Sequence, residues 1–391
     1  MASDWRHARL RDVIALEYGK ALAASNRRPG PVPVFGSNGV VGCHSDHLCR
    51  GPGIVVGRKG SIGAVAWSAT DFWPIDTTYF VRAVAPADLR WLYYLLESLK
   101  LETLNSATGV PGLNRDDVGD LQVRVPPLAE QRKIAAILST VDETIAKTEA
   151  VTAQLDVVKK AMLEELLTRG IPGRHSRFKQ TEIGEVPANW SVVALDECND
   201  PARPICYGIL MPGKQCAGGV PVIKVKNIKS GEVEASDLLL TSPEIDAQYR
   251  RSRLRGGDLL LTIRGTTGRV ALVPASLDGA NITQDTARVS AGESTTSAFL
   301  YYALQTANAQ AQIRDHTRGQ AVKGINIGDV RRLLLPLPPK GEQQTIVETV
   351  RAIDENFRAE SLALSALRAT KNALAAVLLA GELRVTAEDA A

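Results

Sequence analysis

Apolar residues recur along two stretches of the chain in alternating steps of four and three. One stretch runs from Ile134 to Leu166 and the other from Ile346 to Leu378, with the same spacing in both. Such spacing is typical of a coiled-coil seam on an α-helix. A helix of about 35 residues spans about 50 Å, which is more than one small domain can cover. The pattern predicts two long helices that pair with each other, antiparallel if the two halves are related by symmetry.

Several seam positions are polar, and two of them correspond between the helices. Thr148, Thr152 and Glu360 interrupt the apolar pattern, while Lys159 and Lys371 occupy equivalent positions. Polar residues at a seam weaken a simple zipper and favour one register. We therefore expect these positions to align the helices rather than to strengthen their packing.

The residues around the start of each helix occur twice, at a constant offset of 212. The recurring residues are Gly112, Leu113, Asn114, Pro126, Pro127, Glu130 and Gln131, which return as Gly324, Ile325, Asn326, Pro338, Pro339, Glu342 and Gln343. Because the offset is constant, neither copy contains an insertion or deletion relative to the other. Both copies should therefore adopt the same structure. Each proline pair should end a strand, and each Glu-Gln pair should fall in the first helical turn.

The similarity continues upstream with looser spacing. Short apolar runs at 54–56 and 259–263 predict buried strands, and each precedes a glycine loop, at 60–63 and 265–268. The fold class predicted is α+β: two mixed α/β domains in a pseudo-two-fold arrangement, separated by two long helices that form an antiparallel coiled coil. The corresponding segments are 1–128, 129–172, 173–339 and 340–391.

Composition narrows the class of protein further. At 391 residues the chain is long enough for two or more domains, and its five cysteines are too sparse and odd in number for a disulfide framework. We therefore expect a reducing cytoplasm, and we see no apolar run that predicts a membrane span. The net charge is +3, and the two predicted domains are basic while the two helical segments are mildly acidic. Basic domains suit a polyanion such as duplex DNA.

Five motifs together resemble one known family. They are the two helix starts at 126–138 and 338–346, the glycine-rich stretches at 35–42 and 52–63, and the segment 181–187 with Trp190. In their order along the chain they are similar to the specificity subunits of Type I restriction–modification enzymes, and the resemblance covers essentially the whole chain. The second helix start departs from the family pattern, because Gln344-Thr345 replaces the Arg-Lys that follows Glu-Gln in the first.

The resemblance implies a non-catalytic DNA reader. Each target-recognition domain would read one half of a split, asymmetric site in double-stranded DNA, and the helices would set the spacer between the halves. Two methyltransferase subunits and ATP-dependent restriction subunits would be the protein partners, with no membrane involved. S-adenosylmethionine, ATP and Mg are expected on those partners, and no cofactor or metal on this chain.

Candidate contact residues follow from the loops and basic runs. Arginine suits phosphate and guanine, and asparagine suits adenine, so polar residues beside glycine are candidates for contact with DNA. The predicted DNA-binding residues are Ser37, Asn38, His44, Arg58, Lys59, Ser61, Thr108, Asn114, Arg250, Arg251, Arg253, Arg264, Thr266, Thr267, Arg318, Gln320 and Lys323. The residues predicted to dock the methyltransferase subunits are Glu130, Gln131, Arg132, Glu342 and Gln343.

Other functions remain open at this point. An enzyme is disfavoured, because the sequence has no Asn-Pro-Pro-Tyr-like methyltransferase loop and no Gly-x4-Gly-Lys-Ser/Thr phosphate loop. A zinc site at Cys43, His44, His47 and Cys49 has irregular spacing and no second ligand pair. The alternatives are the specificity subunit of a Type IIB-like restriction enzyme and a coiled-coil scaffold that binds no nucleic acid.

Overall fold

The computed structural model describes residues 5–104, 112–319 and 323–385. The chain divides into two compact units, each built from two stretches of sequence. The first unit comprises Met1–Val151 and Glu360–Ala391, and the second comprises Thr152–Ala359. Each unit therefore contains one globular part and half of each long helix, whereas the predicted segments follow the chain in order.

Two of the helices are much longer than the rest. The helices are α1 (Leu89–Ser98), α2 (Arg115–Gly119), α3 (Leu128–Thr168), α4 (Leu195–Cys198), α5 (Pro243–Gln248), α6 (Ser297–Ala303), α7 (Ala307–His316), α8 (Ile327–Arg331) and α9 (Lys340–Leu379). The long ones, α3 and α9, begin immediately after the proline pairs. The predicted helix starts are thereby confirmed.

The strands are short in both units. Those of the first unit are β1 (Arg6–Arg9), β2 (Ile14–Tyr18), β3 (Val32–Gly36), β4 (Gly39–His44), β5 (Gly53–Gly57), β6 (Val65–Ser68), β7 (Trp73–Pro74), β8 (Thr78–Ala83) and β9 (Gln122–Val125). Those of the second are β10 (Phe178–Thr181), β11 (Gly184–Pro187), β12 (Ser191–Ala194), β13 (Cys206–Tyr207), β14 (Val220–Ile223), β15 (Ile228–Lys229), β16 (Glu232–Val233), β17 (Leu239–Thr241), β18 (Leu259–Thr262), β19 (Val270–Leu272), β20 (Asn281–Ile282), β21 (Thr286–Val289) and β22 (Leu334–Leu337).

The two units share one topology. The first has a four-stranded antiparallel sheet in the order β2-β8-β5-β6, and the second has β13-β21-β18-β19. Each also has a three-stranded sheet with one parallel pair, β4-β3-β7 in the first and β17-β14-β20 in the second. The pairs β1-β9 and β12-β22 complete the match. The fold class is α+β with a duplicated unit, as the repeat predicts.

Each unit has its own main core of buried apolar residues and a smaller second cluster. In the first, Trp91 and Leu92 of α1 pack with Ile134 and Leu138 of α3. In the second, the equivalent residues of α6 and α9 fill the same role, including Phe299, Leu300, Ile346 and Val350. The start of a long helix is therefore part of the core of its own globule.

Within each unit the two long helices run antiparallel. In the first unit Asp142 of α3 pairs with Lys371 of α9 at 2.8 Å, and Glu149, one heptad later in α3, pairs with the earlier Arg368 at 2.6 Å. In the second unit Lys159 of α3 pairs with Asp354 of α9. Lys159 and Lys371 are equivalent, as are Asp142 and Asp354, so one ion pair occurs in both units. The predicted antiparallel pairing is confirmed, and both seam lysines form ion pairs between the helices.

One expectation about the second long helix is corrected. By length and composition alone α9 is apolar enough to cross a membrane, although the sequence was expected to contain no such run. The apolar residues near its end have another use, because Leu378 and Leu379 are buried in the core of the first unit. Of the apolar stretch as a whole, 11% is buried in the structure.

Candidate nucleic-acid interface

A glycine loop follows the central strand of the larger sheet in each unit. Gly63 N donates to Gly57 O at 2.8 Å in the first unit, and Gly268 N donates to Thr262 O at 2.9 Å in the second. Gly60, Gly63, Gly265 and Gly268 all have positive φ values between 73° and 88°. A Cβ on Gly63 would lie 2.4 Å from the backbone nitrogen of Glu102, so glycine is required there.

The same backbone contact holds both loops against the segment before the next short helix. Leu113 N donates to Arg58 O at 2.8 Å, and Ile325 N donates to Ile263 O at 2.9 Å. Because Leu113 and Ile325 correspond in the repeat, their acceptors Arg58 and Ile263 correspond as well. Lys59 is therefore the structural equivalent of Arg264, and Ser61 is the equivalent of Thr266. The loops therefore have one backbone arrangement and different side chains.

In the first unit the structure brings several predicted residues together around Thr77. Arg58 N and Lys59 N both donate to Thr77 O, at 2.9 and 3.1 Å, and the Ser37 hydroxyl donates to the same oxygen at 3.0 Å. Lys59 and Ser61 are exposed, and Arg58 and Ser37 are half-buried. Asn38 is also exposed, in the turn between β3 and β4. These residues form one polar surface, called here the first loop surface: Ser37, Asn38, Arg58, Lys59 and Ser61.

An aromatic residue, Tyr18, lies beside this surface and is not among the predicted DNA-binding residues. The Arg58 guanidinium lies 5.1 Å from the centre of the Tyr18 ring, and that of Arg115 lies 5.4 Å from it. Tyr18 ends β2 and is exposed. The sequence could have indicated Tyr18 only as an aromatic residue at the end of a strand. Its position beside Arg58 and Arg115 depends on the fold.

In the second unit the equivalent loop lies beside two further predicted residues. Gly265 N donates to Lys323 O at 2.9 Å, and Arg318 exchanges two backbone hydrogen bonds with Gly324, each of 2.9 Å. Arg264 donates from Nη1 to Gln284 Oε1 at 2.9 Å. Arg264, Thr266, Arg318 and Lys323 are exposed and Thr267 is half-buried. They form the second loop surface: Arg264, Thr266, Thr267, Arg318 and Lys323.

Other predicted contacts are placed differently. Arg250, Arg251 and Arg253 are exposed, but they precede β18 and so lie at the other end of that strand from the second loop surface. Asn114 is exposed, and its side chain accepts a hydrogen bond from Asp116 N at 2.9 Å as the N-cap of α2. Thr108 and Gln320 lie outside the described residues.

The expectation for His44 is corrected by its burial. Only 4% of its surface is exposed, its Nδ1 accepts a hydrogen bond from Arg28 N at 2.9 Å, and its ring packs edge-on against Trp73. A side chain held inward in this way cannot reach a DNA base. Within residues 5–104, 112–319 and 323–385, no group of three or more His, Cys, Asp or Glu is arranged to hold a metal ion.

Four of the five residues predicted to dock a partner are also buried. Glu130, Gln131, Glu342 and Gln343 are 0–6% exposed, whereas Arg132 is exposed. Gln131 Nε2 donates to Pro126 O and Gln343 Nε2 to Pro338 O, each at 2.9 Å. Each glutamine thus caps the strand that precedes its own helix. For the four buried residues the structure replaces a docking role with an internal one.

Each glutamate binds a tryptophan and a residue beyond the end of the other long helix. Trp5 Nε1 donates to Glu130 at 2.9 Å, and Arg384 Nε and Nη2 donate to the same carboxylate at 2.9 and 3.0 Å. In the second unit Trp190 Nε1 donates to Glu342 at 3.0 Å, and His175 Nε2 lies 2.6 Å from it. Burial raises the pKa of Glu130, but Arg384, Trp5 and Val385 N outweigh burial and lower it overall. The buried glutamate therefore anchors the chain that leaves the paired helix.

The fold and the loops define a class: a duplicated α+β chain that presents two related polar loop surfaces with different side chains. Residues 2–157 and 214–366 match the family model described as the Type I restriction modification DNA specificity domain. The chain therefore belongs to the family of Type I restriction–modification specificity subunits.

Individual relatives agree with this assignment. The chain is 31% identical over 321 residues to the Type I restriction enzyme EcoBI specificity subunit of Escherichia coli, covering 77% of this chain and 66% of that protein. It is 26% identical over 308 residues to the MjaVIII specificity subunit of Methanocaldococcus jannaschii, covering 75% of this chain and 70% of that protein. The matches span about two thirds of the length of these relatives.

Solved structures support the fold. The crystal structure of a Type I restriction–modification S subunit from M. genitalium matches with a TM-score of 0.63 at 15% identity, covering 96% of both chains. A chain from a structural study of Type I restriction–modification complex assembly and conformational transition matches with a TM-score of 0.57 at 18% identity, covering 98% of this chain and 100% of that one.

Proposed function

We propose that this chain is the non-catalytic, sequence-reading subunit of a Type I restriction–modification complex in the cytoplasm. Each unit reads one half of a bipartite, asymmetric site in double-stranded DNA. The observation that carries this proposal is the pair of loop surfaces: one backbone arrangement presents Lys59 and Ser61 in the first unit and Arg264 and Thr266 in the second. A shared scaffold with different polar side chains is suited to reading two different sequences in one manner.

The helices supply the spacer between the two halves of the site. Two ion pairs at equivalent positions, Asp142 with Lys371 and Asp354 with Lys159, favour one register for each helix pair. Lengthening α3 and α9 together by one turn adds about 5.4 Å, which corresponds to between one and two base pairs of duplex. The recognised spacer should lengthen accordingly, and an unchanged spacer would refute the ruler role.

The protein partners in this proposal are two methyltransferase subunits and the ATP-dependent restriction subunits. S-adenosylmethionine, ATP and Mg are carried by those partners. Arg132 is exposed in the first turn of α3, so we assign it to the docking surface. Glu130 and Gln131 contribute indirectly, because they hold that turn against its globule.

The test is an exchange of residues 173–339 for the same segment of another specificity subunit. Base-resolution mapping of methylated DNA in the host should show one half of the recognised site changed and the other retained. A matched exchange of residues 1–128 should change the opposite half. If either exchange altered both halves, the modular proposal would be wrong, and methylation that never depended on this chain would exclude a reader altogether.

A further inference from the structure

A pocket of about 670 Å³ opens in the second unit where the chain approaches β13 and β18. Half of its lining residues in the described part of the chain are arginines: Arg203, Arg250, Arg251, Arg253, Arg255, Arg288 and Arg331. We call it the arginine pocket. Asp258 borders this end of β18, whereas Arg264 lies six residues further on, at the second loop surface. Six residues of extended chain span about 20 Å, so the two features are separate.

Arg288 is the buried member of this group. Only 3% of its surface is exposed, Nη2 donates to Pro204 O at 2.8 Å, and Nη1 donates to Arg253 O at 3.5 Å. Its Nε is buried and has no hydrogen-bond partner among the residues that the structure describes. Burial and the nearby Arg203 and Arg255 lower the pKa of this guanidinium. Backbone carbonyls therefore hold a buried cation that still has an unsatisfied donor.

The fold does not require an arginine at this position. Arg288 pairs with Leu260 across β21 and β18, and the equivalent pair in the first unit is Phe80 with Val55. The first unit thus builds the same sheet with an aromatic side chain. The charged side chain is therefore particular to the second unit, where it lies in the pocket lining.

Carboxylates neutralise only part of the positive charge. Arg203 binds Asp258 through two hydrogen bonds of 2.6 and 2.8 Å, and Arg253 Nε donates to Asp246 at 2.7 Å. Arg331 lies 3.7 Å from Asp196. Arg250, Arg251, Arg255 and Arg288 remain, and Asp278 is the further carboxylate at the lining. The pocket therefore keeps a surplus of positive charge.

Cys206 lies in the lining of the pocket together with Arg203, Arg251, Arg288 and Arg331. Burial raises the pKa of this thiol, while Arg288, Arg251, Arg203 and Arg331 each lower it. Cations from four separate segments converge on one side chain. Convergent cations of this kind match a compact, multiply charged anion.

We propose that the arginine pocket binds a phosphate group. Planar guanidinium groups donate paired hydrogen bonds to phosphate oxygens, and those of Arg250, Arg251 and Arg255 are exposed at the pocket. The buried Arg288 adds a positive charge behind them. The phosphate comes either from the backbone of duplex DNA, in which case this inference rests on the proposed function, or from a free phosphate ester. The chemistry of the pocket is the same in both cases.

The first experiment uses inorganic pyrophosphate as the probe and the full chain as the protein. Isothermal titration at low salt compares the wild type with the double variant R251A/R255A, which removes two exposed pocket charges. The matched control is R177A/K179A, which removes two exposed charges of the same unit away from the pocket. Whichever source supplies the phosphate, pyrophosphate affinity should fall at least tenfold in R251A/R255A and stay unchanged in the control.

The second experiment measures duplex binding by the same three proteins over a range of salt concentrations. If the backbone of DNA supplies the phosphate, the slope of log K against log salt should become shallower in R251A/R255A than in the control. The expected change is about 0.9 for each DNA phosphate that the variant no longer neutralises. R288F, which introduces the residue type of the first unit, should repeat whichever loss is seen. Matching thermal unfolding of all variants confirms that the fold is intact.

The two experiments separate the possible outcomes. Weaker pyrophosphate binding by R251A/R255A supports the phosphate pocket. A shallower duplex slope in the same variant identifies the DNA backbone as the source of the phosphate, and an unchanged slope identifies a free phosphate ester. If R251A/R255A behaves like the control in both, the pocket does not bind phosphate and the inference is overturned. A wild-type chain that binds no duplex at any salt would refute the proposed function, while the pyrophosphate titration would still test the pocket.

Discussion

Replacing Glu130 by glutamine tests how the start of α3 is held in the first unit. The Glu130 carboxylate accepts hydrogen bonds from Trp5 at 2.9 Å, from Arg384 at 2.9 and 3.0 Å, and from Val385 N at 3.3 Å. Glutamine offers one acceptor oxygen, and its NH₂ group faces donors. The negative charge that pairs with Arg384 is also lost.

The expected loss of stability is about 2–3 kcal/mol. Breaking a buried ion pair costs about 3–5 kcal/mol, and hydrogen bonds to a charged group contribute about 1.5–3 kcal/mol. Glu130 is 6% exposed, but the Arg384 side chain is 31% exposed and can partly regain water, which places the effect at the lower end. The matched control is E143Q on the exposed face of α3, which should change stability by less than about 0.5 kcal/mol.

The assay is denaturant unfolding followed by hydrogen exchange of peptides from each unit. Two units can unfold separately, so a single bulk transition would mix their stabilities. E130Q should weaken protection in β1 and at the start of α3 while leaving the second unit unchanged. Equal protection in E130Q and E143Q would refute the assigned role of Glu130.

The contribution of Glu130 to folding stability should decrease at acidic pH. Because the pKa of Glu130 is lowered in the folded state from an ordinary value of 4.5, its contribution is fully present above that value. The contribution is lost as the pH falls through the lowered pKa. The stability difference between wild type and E130Q should therefore shrink below about pH 4.5. A difference that grew on acidification would contradict this interpretation.

Three further predictions concern the seam, a helix cap and the loops. K371E should destabilise the first unit by about 1–3 kcal/mol in denaturant unfolding. The double variant K371E/D142K should recover part of that loss. If it recovered none, the ion pair between the two residues would not contribute to stability. N114A should lower the free energy of unfolding by about 1 kcal/mol, because it removes the N-cap of α2. An unchanged unfolding midpoint would show that this cap does not stabilise the unit. R58A and R264A should each weaken duplex binding by about 1–3 kcal/mol, with altered preference in one half-site only; a change in both halves would argue against separate readers.

The amino-acid sequence by itself determined the duplication and much of the local structure. The offset of 212 residues predicts that β9 and β22, α2 and α8, and the starts of α3 and α9 correspond, and the structure places all of them at that offset. The heptad spacing predicts the seam, and its positions are buried or half-buried throughout. These features depend on residues close in sequence, so a periodic pattern or an aligned repeat is sufficient to detect them.

The tertiary structure alone decided which polar residues are available to a partner. The Glu-Gln pairs have the sequence of an exposed first turn, yet Glu130 is buried because Trp5 and Arg384, 125 and 254 residues away along the chain, converge on it. His44 turns inward for the same kind of reason, through Arg28 and Trp73. Likewise the arginine run at 250–255 has the pattern of a solvated surface, and only the fold brings Arg288 of β21 and Arg331 of α8 to it. Local sequence pattern does not encode such convergence, because it arises from long-range packing.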